Sequence, residues 1–511
     1  MREVFNKPAM VAVDLGAESC RVSLLRAVGG EPRMTVVHRA ANGPVPTERG
    51  LVWNFERMFE DVLAGLTKCA ALAPEGIASI GVDGWAVDYV RLGPDGAATG
   101  DPFCYRDERT VAAVDELHQR ISPRKLYART GAQVLRINTL YQLYADHLSG
   151  VPASYRWLNL PEYLLYRLGG RRVSEYTNST HTAMLGVHSR DWCPEVFHAA
   201  QLSLESAPPV VQPGTDVGQL SGPLKELAAF RNTRLIAPAC HDTASAIAGI
   251  PAVSEDWAFI SSGTWSLVGA VVDRPHTEDE SFAENFTNQG GIGKAIYLLK
   301  NVNGMWMLRQ CMDAWQQQGA EWNVVDLVSA SAPLPAPDHL LDVDDPDLLL
   351  RDSMPARINA QLRRKGAPGL VEDPAHAAQY ANLIFHSLAA RYAEVLRSLS
   401  SITRKQFAKV FIVGGGARNQ QMKRLLEQAA GVEVIQGSAE SSTIGNFAIQ
   451  LAAFDRKADA GSVEGAAVAR WASVLAQHDV TGDSGSGPTK SPSTLRHSDD
   501  RQTIGSDMAS A

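Results

Sequence analysis

The sequence predicts an α/β protein with two domains and a cleft between them. The chain has 511 residues, whereas single hydrophobic cores seldom grow beyond roughly 250 to 300 residues. Residues 10–27 and 257–272 each place two β-rich apolar runs around a short polar turn, about half a chain apart. Each hairpin pattern opens a long stretch of mixed strands and helices, which indicates a duplicated α/β unit.

Composition favours a soluble protein that acts on small molecules. The chain is 45% hydrophobic and 20% charged, as ordinary globular proteins are. Its net charge of -8 provides no basic surface for nucleic acid, and no apolar run approaches the roughly 18 residues that span a membrane. The start, "MREVFNKPAMVAVDLG", lacks a secretory pattern, so we expect a cytoplasmic protein. Six cysteines without CxxC pairing argue against a zinc site and a disulfide framework.

The two hairpin turns carry groups that can contact phosphates. In the first, Gly16 lets the backbone approach a phosphate, Ser19 and Arg21 are possible donors, and Asp14 could orient Mg²⁺. In the second, residues 262–264 read Ser-Gly-Thr and offer hydroxyl and amide donors. Taken singly, the first pattern is more typical of a tight turn, and Ser and Gly enter turns for local reasons.

A third pattern combines a strand, three glycines and an amphipathic helix. It is "FAKVFIVGGGARNQQMKRLLEQAAGVEV", with apolar Met422, Leu425 and Leu426 at helical spacing. Three glycines cost conformational entropy, so Gly414–Gly416 could serve the close approach of a nucleotide. A sharp strand-to-helix turn explains them equally well.

An ionisable pair, His241 and Asp242, interrupts the small and apolar run "IAPACHDTASAIAGIP". Considered alone, Asp242 is best explained as a helix N-cap. A general base is the alternative, and it requires that the fold also supply a substrate and a leaving group.

Two further segments have simpler interpretations. Arg106, Asp107 and Arg109 in "YRDERT" are predicted to form a local ion-pair lattice, or alternatively to border a pocket. Residues 478–511 are rich in Ser, Gly, Thr and Asp, and we expect them to be a disordered tail.

In combination and order, these features resemble the FGGY carbohydrate kinases of the actin-like ATPase superfamily. The resemblance covers roughly residues 10–455 and includes "VAVDLGAESCRVSLL", "IASIGVDGWAVDYVRL", "EYTNSTHTAML", "HDTASAIAGIP", "FISSGTWSLVG", "LLKNVNGMWML" and "VFIVGGGARNQQMKRLLEQAAGVEVIQGSAESSTIGNFAIQLAA". It implies two ribonuclease-H-like domains with an interdomain cleft. Residues 1–243 would bind sugar and phosphate, and residues 244–477 would bind the nucleotide.

The resemblance also implies a role for particular residues. Asp242 matches the catalytic base, and Trp85, Ala86, His241 and Thr243 match the sugar pocket, although Trp85 could equally be a core aromatic. Asp14 and Asp242 would handle Mg²⁺. The residues that match the ATP site are Ala17, Glu18, Ser19, Cys20, Arg21, Thr264, Asn301, Arg309 and Gly415.

The expected reaction is transfer of the γ-phosphate of ATP to the primary C1 hydroxyl of L-rhamnulose, in L-rhamnose catabolism. The alternatives are a kinase of another ketose or polyol, such as L-fuculose, L-xylulose or glycerol, and a non-catalytic ATP-binding sugar sensor. Cys20, Ala86 and Arg309 depart from the usual pattern, and the Ala86 methyl could narrow the sugar pocket. No nucleic-acid or membrane partner is expected, and the protein is expected to be a monomer or small homo-oligomer.

Overall fold

The computed structural model describes residues 5–252, 256–350, 353–456, 462–478 and 480–482. Twelve strands of the first half are β1 (Ala9–Leu15), β2 (Ser19–Val28), β3 (Glu31–Ala41), β4 (Val45–Thr47), β5 (Gly50–Val52), β6 (Ile77–Gly84), β7 (Tyr89–Leu92), β8 (Arg156–Asn159), β9 (Ser174–Glu175), β10 (Val210–Val211), β11 (Thr215–Gln219) and β12 (Arg234–Ala237). The helices of this half are α1 (Phe55–Leu72), α2 (Thr110–His118), α3 (Pro123–Thr130), α4 (Thr139–Leu148), α5 (Leu160–Arg167), α6 (Tyr176–Ser179), α7 (Pro194–Ala199) and α8 (Asp242–Ala248).

The second half continues the same alternation of strands and helices. Its strands are β13 (Trp257–Ser262), β14 (Trp265–Val272), β15 (Thr287–Gly290), β16 (Ile296–Asn303), β17 (Lys409–Val413) and β18 (Glu433–Gln436), and a last strand is β19 (Val480–Gly482). Its helices are α9 (Asp279–Ala283), α10 (Trp306–Gln317), α11 (Val324–Ser331), α12 (Met354–Arg364), α13 (Ala377–Thr403), α14 (Gln420–Ala430), α15 (Ser441–Asp455) and α16 (Gly465–Leu475).

The two main sheets share one topology, which confirms the predicted duplication. In the first sheet, β3, β2 and β1 are antiparallel neighbours, and β6 and β12 continue parallel to β1. In the second sheet, β16, β14 and β13 are antiparallel neighbours, and β17 and β18 continue parallel to β13. Both predicted hairpins are therefore present, and each sits at the centre of its sheet.

Helices α8 and α15 follow the last parallel strand of each sheet and pack against each other between the halves. A Cβ on Gly445 would lie 1.8 Å from the Ser245 carbonyl oxygen, and a Cβ on Gly249 would lie 2.4 Å from that of Ser441. Glycine on both helices therefore permits the close crossing. The predicted domain junction between residues 243 and 244 falls inside α8, which belongs to this shared layer.

Separate apolar clusters support the two sheets, the layer between them and the inserted helices of the first half. Those inserted helices, α2 to α7, reach across to the edge strand β15 of the second sheet. Asn288 of β15 donates its backbone N–H to the carbonyl of Gly131 at 2.8 Å. This contact makes the inserted region one wall of the space between the halves.

The start of the predicted tail differs from the expectation. Val480–Gly482 form β19, which pairs in parallel with β3 and opposes Met34 to Val36. An edge strand with unpaired backbone groups accepts such an addition without a long apolar segment. Residues 479 and 483–511 lie outside the described residues. In the part of the chain that the structure describes, no helix is long and apolar enough to cross a membrane.

Candidate functional site

One deep cavity of about 1170 Å³ lies between the two halves. It is lined by the turns of both central hairpins, the N-terminus of α8, the inserted region and the glycine turn after β17. Every predicted site residue except Cys20 lines it: Asp14, Ala17, Glu18, Ser19, Arg21, Trp85, Ala86, His241, Asp242, Thr243, Thr264, Asn301, Arg309 and Gly415.

Cys20 is the exception, and strand geometry gives the reason. Side chains alternate between the faces of a strand. Ser19 and Arg21 therefore face the cavity, while Cys20 faces the apolar cluster that supports the first sheet, which we call the first core. Its side chain is 4% exposed, and burial raises the pKa of its thiol to about 12. The Cys20 side chain therefore does not line the cavity, unlike those of the other residues expected at the ATP site.

Carboxylates gather where the central strands of the first sheet end. Asp14 on β1 lies opposite Asp83 on β6 and opposite Arg21 on β2. Asp14 Oδ2 lies 2.8 Å from Arg21 Nη2 and accepts a hydrogen bond from Ser442 Oγ at 2.8 Å. Burial raises the pKa of Asp14 despite Arg21, and the charge of nearby Asp242 raises it further. Three acidic groups thus share one small region.

Asp83 is held by the second half of the chain. Its Oδ2 accepts from Asn446 Nδ2 of α15 at 2.5 Å, while its buried Oδ1 has no partner among the described residues. Burial, with Asp14 adjacent, holds the pKa of Asp83 well above its usual value. The α15 face that carries Ser442, Asn446 and Gln450 therefore secures the ends of β1 and β6.

Asp242 is the first residue of α8, and His241 occupies the N-cap position. The simpler interpretation of Asp242 as the N-cap is therefore wrong. Its carboxylate accepts from Thr243 Oγ1 at 3.3 Å, and its side chain is 34% exposed, to the cavity that it lines. Burial raises the pKa of Asp242, an effect that Thr243 and Arg21 partly offset. The group is thus accessible to a ligand and has few competing partners.

His241 is fixed by a hydrogen bond behind it. Gln289 Nε2 and His241 Nδ1 are hydrogen-bonded at 2.8 Å, and His241 Nε2 lies 3.4 Å from Asp242 Oδ1. Burial lowers the pKa of His241 to about 3. At neutral pH the ring is therefore uncharged and turned towards Asp242.

Trp85 and Ala86 line the cavity just after β6. The Trp85 ring packs on Trp53 with 4.5 Å between centroids, and its Nε1 donates to the buried Asp88 at 2.9 Å. Val87 has a φ of 74°, which is rare for a β-branched residue and stores strain beside the cavity. Trp85 is thus a core aromatic that also lines the cavity.

The hairpin turns meet across the cavity. Thr264 Oγ1 donates to Glu18 Oε1 at 2.9 Å, and deeper in the structure Asn301 Nδ2 donates to Gln133 Oε1 at 2.7 Å. Each contact joins one half to the other. Arg21 also reaches across to Glu440, which precedes α15. The two turns therefore face a common space.

The three glycines after β17 divide into two kinds. Gly414 has a φ of 85°, and a Cβ on Gly416 would lie 2.1 Å from Ser262 Oγ, so these two permit the tight packing of the turn on β13. A Cβ on Gly415 would meet nothing within 4 Å, and Gly415 lines the cavity. The sharp-turn explanation applies to Gly414 and Gly416, while Gly415 leaves open space at the cavity.

Arg106, Asp107 and Arg109 take separate partners instead of forming the predicted ion pairs with one another. Arg109 Nη1 contacts Asp146 Oδ1 at 2.6 Å, and Asp107 accepts from the Leu51 backbone N–H at 2.7 Å. The Arg106 guanidinium lies 4.1 Å from the centre of the Trp306 ring. Arg309 lies at the cavity edge, half-exposed, and pairs with Asp313 at 3.1 Å.

Several cavity residues were missed by the sequence analysis: Gln133, Asn138, His181, Glu440 and Ser442. The motif "EYTNSTHTAML" was noticed, but nothing in its pattern distinguishes His181 from its polar neighbours. Glu440 and Ser442 start a helix more than 400 residues from Arg21 and Asp14. Only the three-dimensional fold brings such distant positions together.

Within the described ranges, no group of three or more His, Cys, Asp or Glu side chains could hold a metal ion alone. Mg²⁺ is typically held by one or two carboxylates together with substrate phosphates. Asp14 and Asp242 at the same cavity fit that arrangement.

Two sheets of one topology around one deep cavity define a two-domain α/β protein of the actin-like ATPase fold. A xylulose kinase from Lactobacillus acidophilus has this fold, with a TM-score of 0.74 over 93% of this chain and 94% of that one, at 15% identity. Residues 9–249 match the N-terminal domain of the FGGY family of carbohydrate kinases, and residues 258–454 match its C-terminal domain. The chain belongs to the FGGY family of carbohydrate kinases.

Relatives of higher identity cover most of the chain. A rhamnulokinase from Bacteroides thetaiotaomicron is 34% identical over 460 residues, which are 89% of this chain and 93% of that protein. A rhamnulokinase from Pectobacterium carotovorum is 35% identical and covers 88% of this chain and 89% of its own length. The protein is thus a sugar kinase, a phosphotransferase that uses ATP and an alcohol acceptor.

Proposed function

We propose that this protein transfers the γ-phosphate of ATP to the C1 hydroxyl of L-rhamnulose, giving L-rhamnulose 1-phosphate and ADP, in L-rhamnose catabolism. Two relatives of 34% and 35% identity bear the name rhamnulokinase. The observation that carries the chemistry is the position of Asp242, which faces the same cavity as both hairpin turns.

The catalytic step requires a base, an acceptor and a positioned leaving group. Asp242 takes the proton of the sugar hydroxyl as that oxygen forms a bond to the γ-phosphorus, and the bond to the β,γ-bridging oxygen breaks to release ADP. The carboxylate has access to the cavity, and the neutral His241 beside it does not compete for the proton. The sugar would lie against Trp85, Ala86, His241 and Thr243.

The phosphates would lie between the turn Ala17–Arg21 and the turn that holds Thr264. Both turns offer backbone amides and hydroxyls, which bind oxyanions. Asn301, Arg309 and Gly415 would border the rest of the nucleotide. Mg²⁺, which spreads the charge of the phosphates when bound, would be held by Asp14 and Asp242 directly or through water.

The sugar assignment is tested with a panel assayed by coupled ADP release. We expect L-rhamnulose to have the highest kcat/KM, with L-fuculose, L-xylulose and glycerol lower by at least about tenfold, because one misplaced or missing hydroxyl costs about 1–3 kcal/mol. Faster turnover of one of those sugars would overturn the sugar assignment and leave the sugar kinase intact. The variant Ala86→Gly is the companion test, since removing one methyl should relax the preference.

A further inference from the structure

His181 presents a buried, unpartnered nitrogen at the cavity. It lies in a short 3-10 turn, Thr180–Thr182, and is only 9% exposed. Its Nε2 has no hydrogen-bond partner among the described residues, although the ring lines the cavity. Buried polar atoms in folded proteins nearly always have a partner, which can be a ligand. A partner from the cavity is therefore the natural expectation.

The backbone around His181 is rigidly held, so the ring has a fixed position. The His181 carbonyl accepts from Asn138 Nδ2 at 3.1 Å, and the hydroxyl of the preceding Thr180 accepts from the Gly290 N–H at 3.1 Å. The following Ala183 has a φ of 57°, which is unfavourable for alanine and requires a well-determined surrounding structure. Both halves of the protein thus contribute to placing this one side chain.

The two imidazoles at this site are neighbours with different environments. The rings of His181 and His241 lie 4.2 Å apart between centroids. His241 is occupied on both sides, by Gln289 and by Asp242. Burial, together with His241, holds the pKa of His181 well below its usual value, against the opposing effect of the Gln289 side chain. An uncharged imidazole has one N–H and one lone pair, and a sugar hydroxyl can complement either.

We propose that His181 is a specificity-determining residue that hydrogen-bonds a hydroxyl of the ketose through Nε2. The proposal rests on the proposed function, because it places the sugar beside Asp242. In this proposal His241 orients the base Asp242, and His181 recognises a hydroxyl of the sugar. The proposal therefore restricts the accepted sugars to ketoses that carry a hydroxyl within reach of His181 when C1 lies at Asp242.

Three substitutions separate the nitrogens of the ring. His181→Gln can return an amide group near the position of Nε2, His181→Asn returns one near Nδ1, and His181→Phe removes both. We expect the sugar KM to rise roughly tenfold to a hundredfold in the Phe and Asn variants, as for loss of a buried hydrogen bond. The Gln variant should recover much of the loss. The KM for ATP should stay within about twofold in all three.

Controls distinguish this role from a structural one. His276→Asn changes another buried histidine, which lies outside the cavity, and should leave the sugar KM unchanged. The Tm of His181→Phe should not fall, because the phenyl ring removes an unpaired buried nitrogen. Binding of the sugar alone, measured by calorimetry, should weaken in parallel with the rise in KM.

The contacted hydroxyl is located with monodeoxy analogues of the best panel sugar. The analogue that lacks the contacted hydroxyl should bind the parent and the His181→Phe variant with equal affinity, because the same hydrogen bond is missing from both complexes. A sugar KM within about twofold of the parent in a folded His181→Phe protein would overturn the proposal, as would rescue by Asn in place of Gln. Absence of turnover with every panel sugar in the parent would instead overturn the proposed function.

Discussion

The two halves of the protein contribute different chemistry to the same cavity. The first half brings Asp14, Asp242 and Arg21 to the cavity lining, with the buried Asp83 opposite Asp14 on the neighbouring strand. The second half brings Thr264 and a glycine turn, with no acidic group in either loop. The two sheets of one topology therefore carry an acidic wall and a wall whose two turns lack carboxylates and include Arg418.

If the proposed function holds, the two walls differ in carboxylates because they bind different groups. A base and a carboxylate for Mg²⁺ must be charged and precisely held, and α15 supplies the restraint through Ser442 and Asn446. Amides and hydroxyls stabilise a bound polyanion, whereas carboxylates would repel it. The two halves thus share one architecture, and the residues that follow or end their strands determine what each half can bind.

The largest effect on kcat should come from removing the charge of Asp242 on the acidic wall. Asp242→Asn keeps the shape of the side chain but cannot accept the hydroxyl proton, so we expect kcat to fall by about 10²–10⁴-fold. Sugar and ATP binding, measured by calorimetry, should change little. Undiminished kcat would refute the base, and a parent protein that binds both ligands without turnover would favour the sugar sensor.

The same variant has a signature in stability that depends on pH. Burial raises the pKa of Asp242, so ionising it costs the folded state free energy that is present above the folded pKa and disappears as the pH falls below the unfolded value. Asn avoids this cost. The variant should therefore have a slightly higher Tm than the parent at pH 7 to 8, and the difference should vanish below about pH 4.

In the glycine turn of the second half, two adjacent glycines should respond in opposite ways. Gly416→Ala would place a Cβ against Ser262, so we expect the free energy of unfolding to fall by about 1–3 kcal/mol. Gly415→Ala adds a methyl to open space. It should leave the Tm unchanged and raise the KM for ATP about tenfold, which corresponds to about 1.4 kcal/mol of binding. An unaltered KM for ATP in Gly415→Ala would remove the nucleotide from that turn.

The fold was largely predictable because its signals are local. The apolar runs of β1 and β2, the similar runs of β13 and β14, and the strand–glycine–helix pattern at Gly414–Gly416 each lie within a few dozen residues. The strand β19 was not predictable, because three residues of a polar segment carry no periodicity and depend on an edge that β3 provides.

The site was predictable only where a motif marks it. Asp242 and Thr264 stand in distinctive sequences, whereas Ser442 and His181 owe their positions to packing between segments far apart in the chain. The position of Cys20 could have been inferred. Ser19 and Arg21 were both assigned to the cavity, and the period of two along β2 then places Cys20 on the opposite face.

The smallest effect on catalysis should therefore come from Cys20→Ala. The substitution removes a sulfur from the first core, far less volume than a large aliphatic side chain, so we expect a loss of about 1 kcal/mol of stability. kcat and the KM for ATP should stay within about twofold of the parent, and Ser19→Ala, on the cavity face of the same strand, is the matched comparison. Because the thiol is buried and its pKa is about 12, a thiol reagent should modify it only after unfolding. A rise in the KM for ATP with an unchanged Tm would mean that Cys20 contacts the nucleotide and that β2 is wrongly registered.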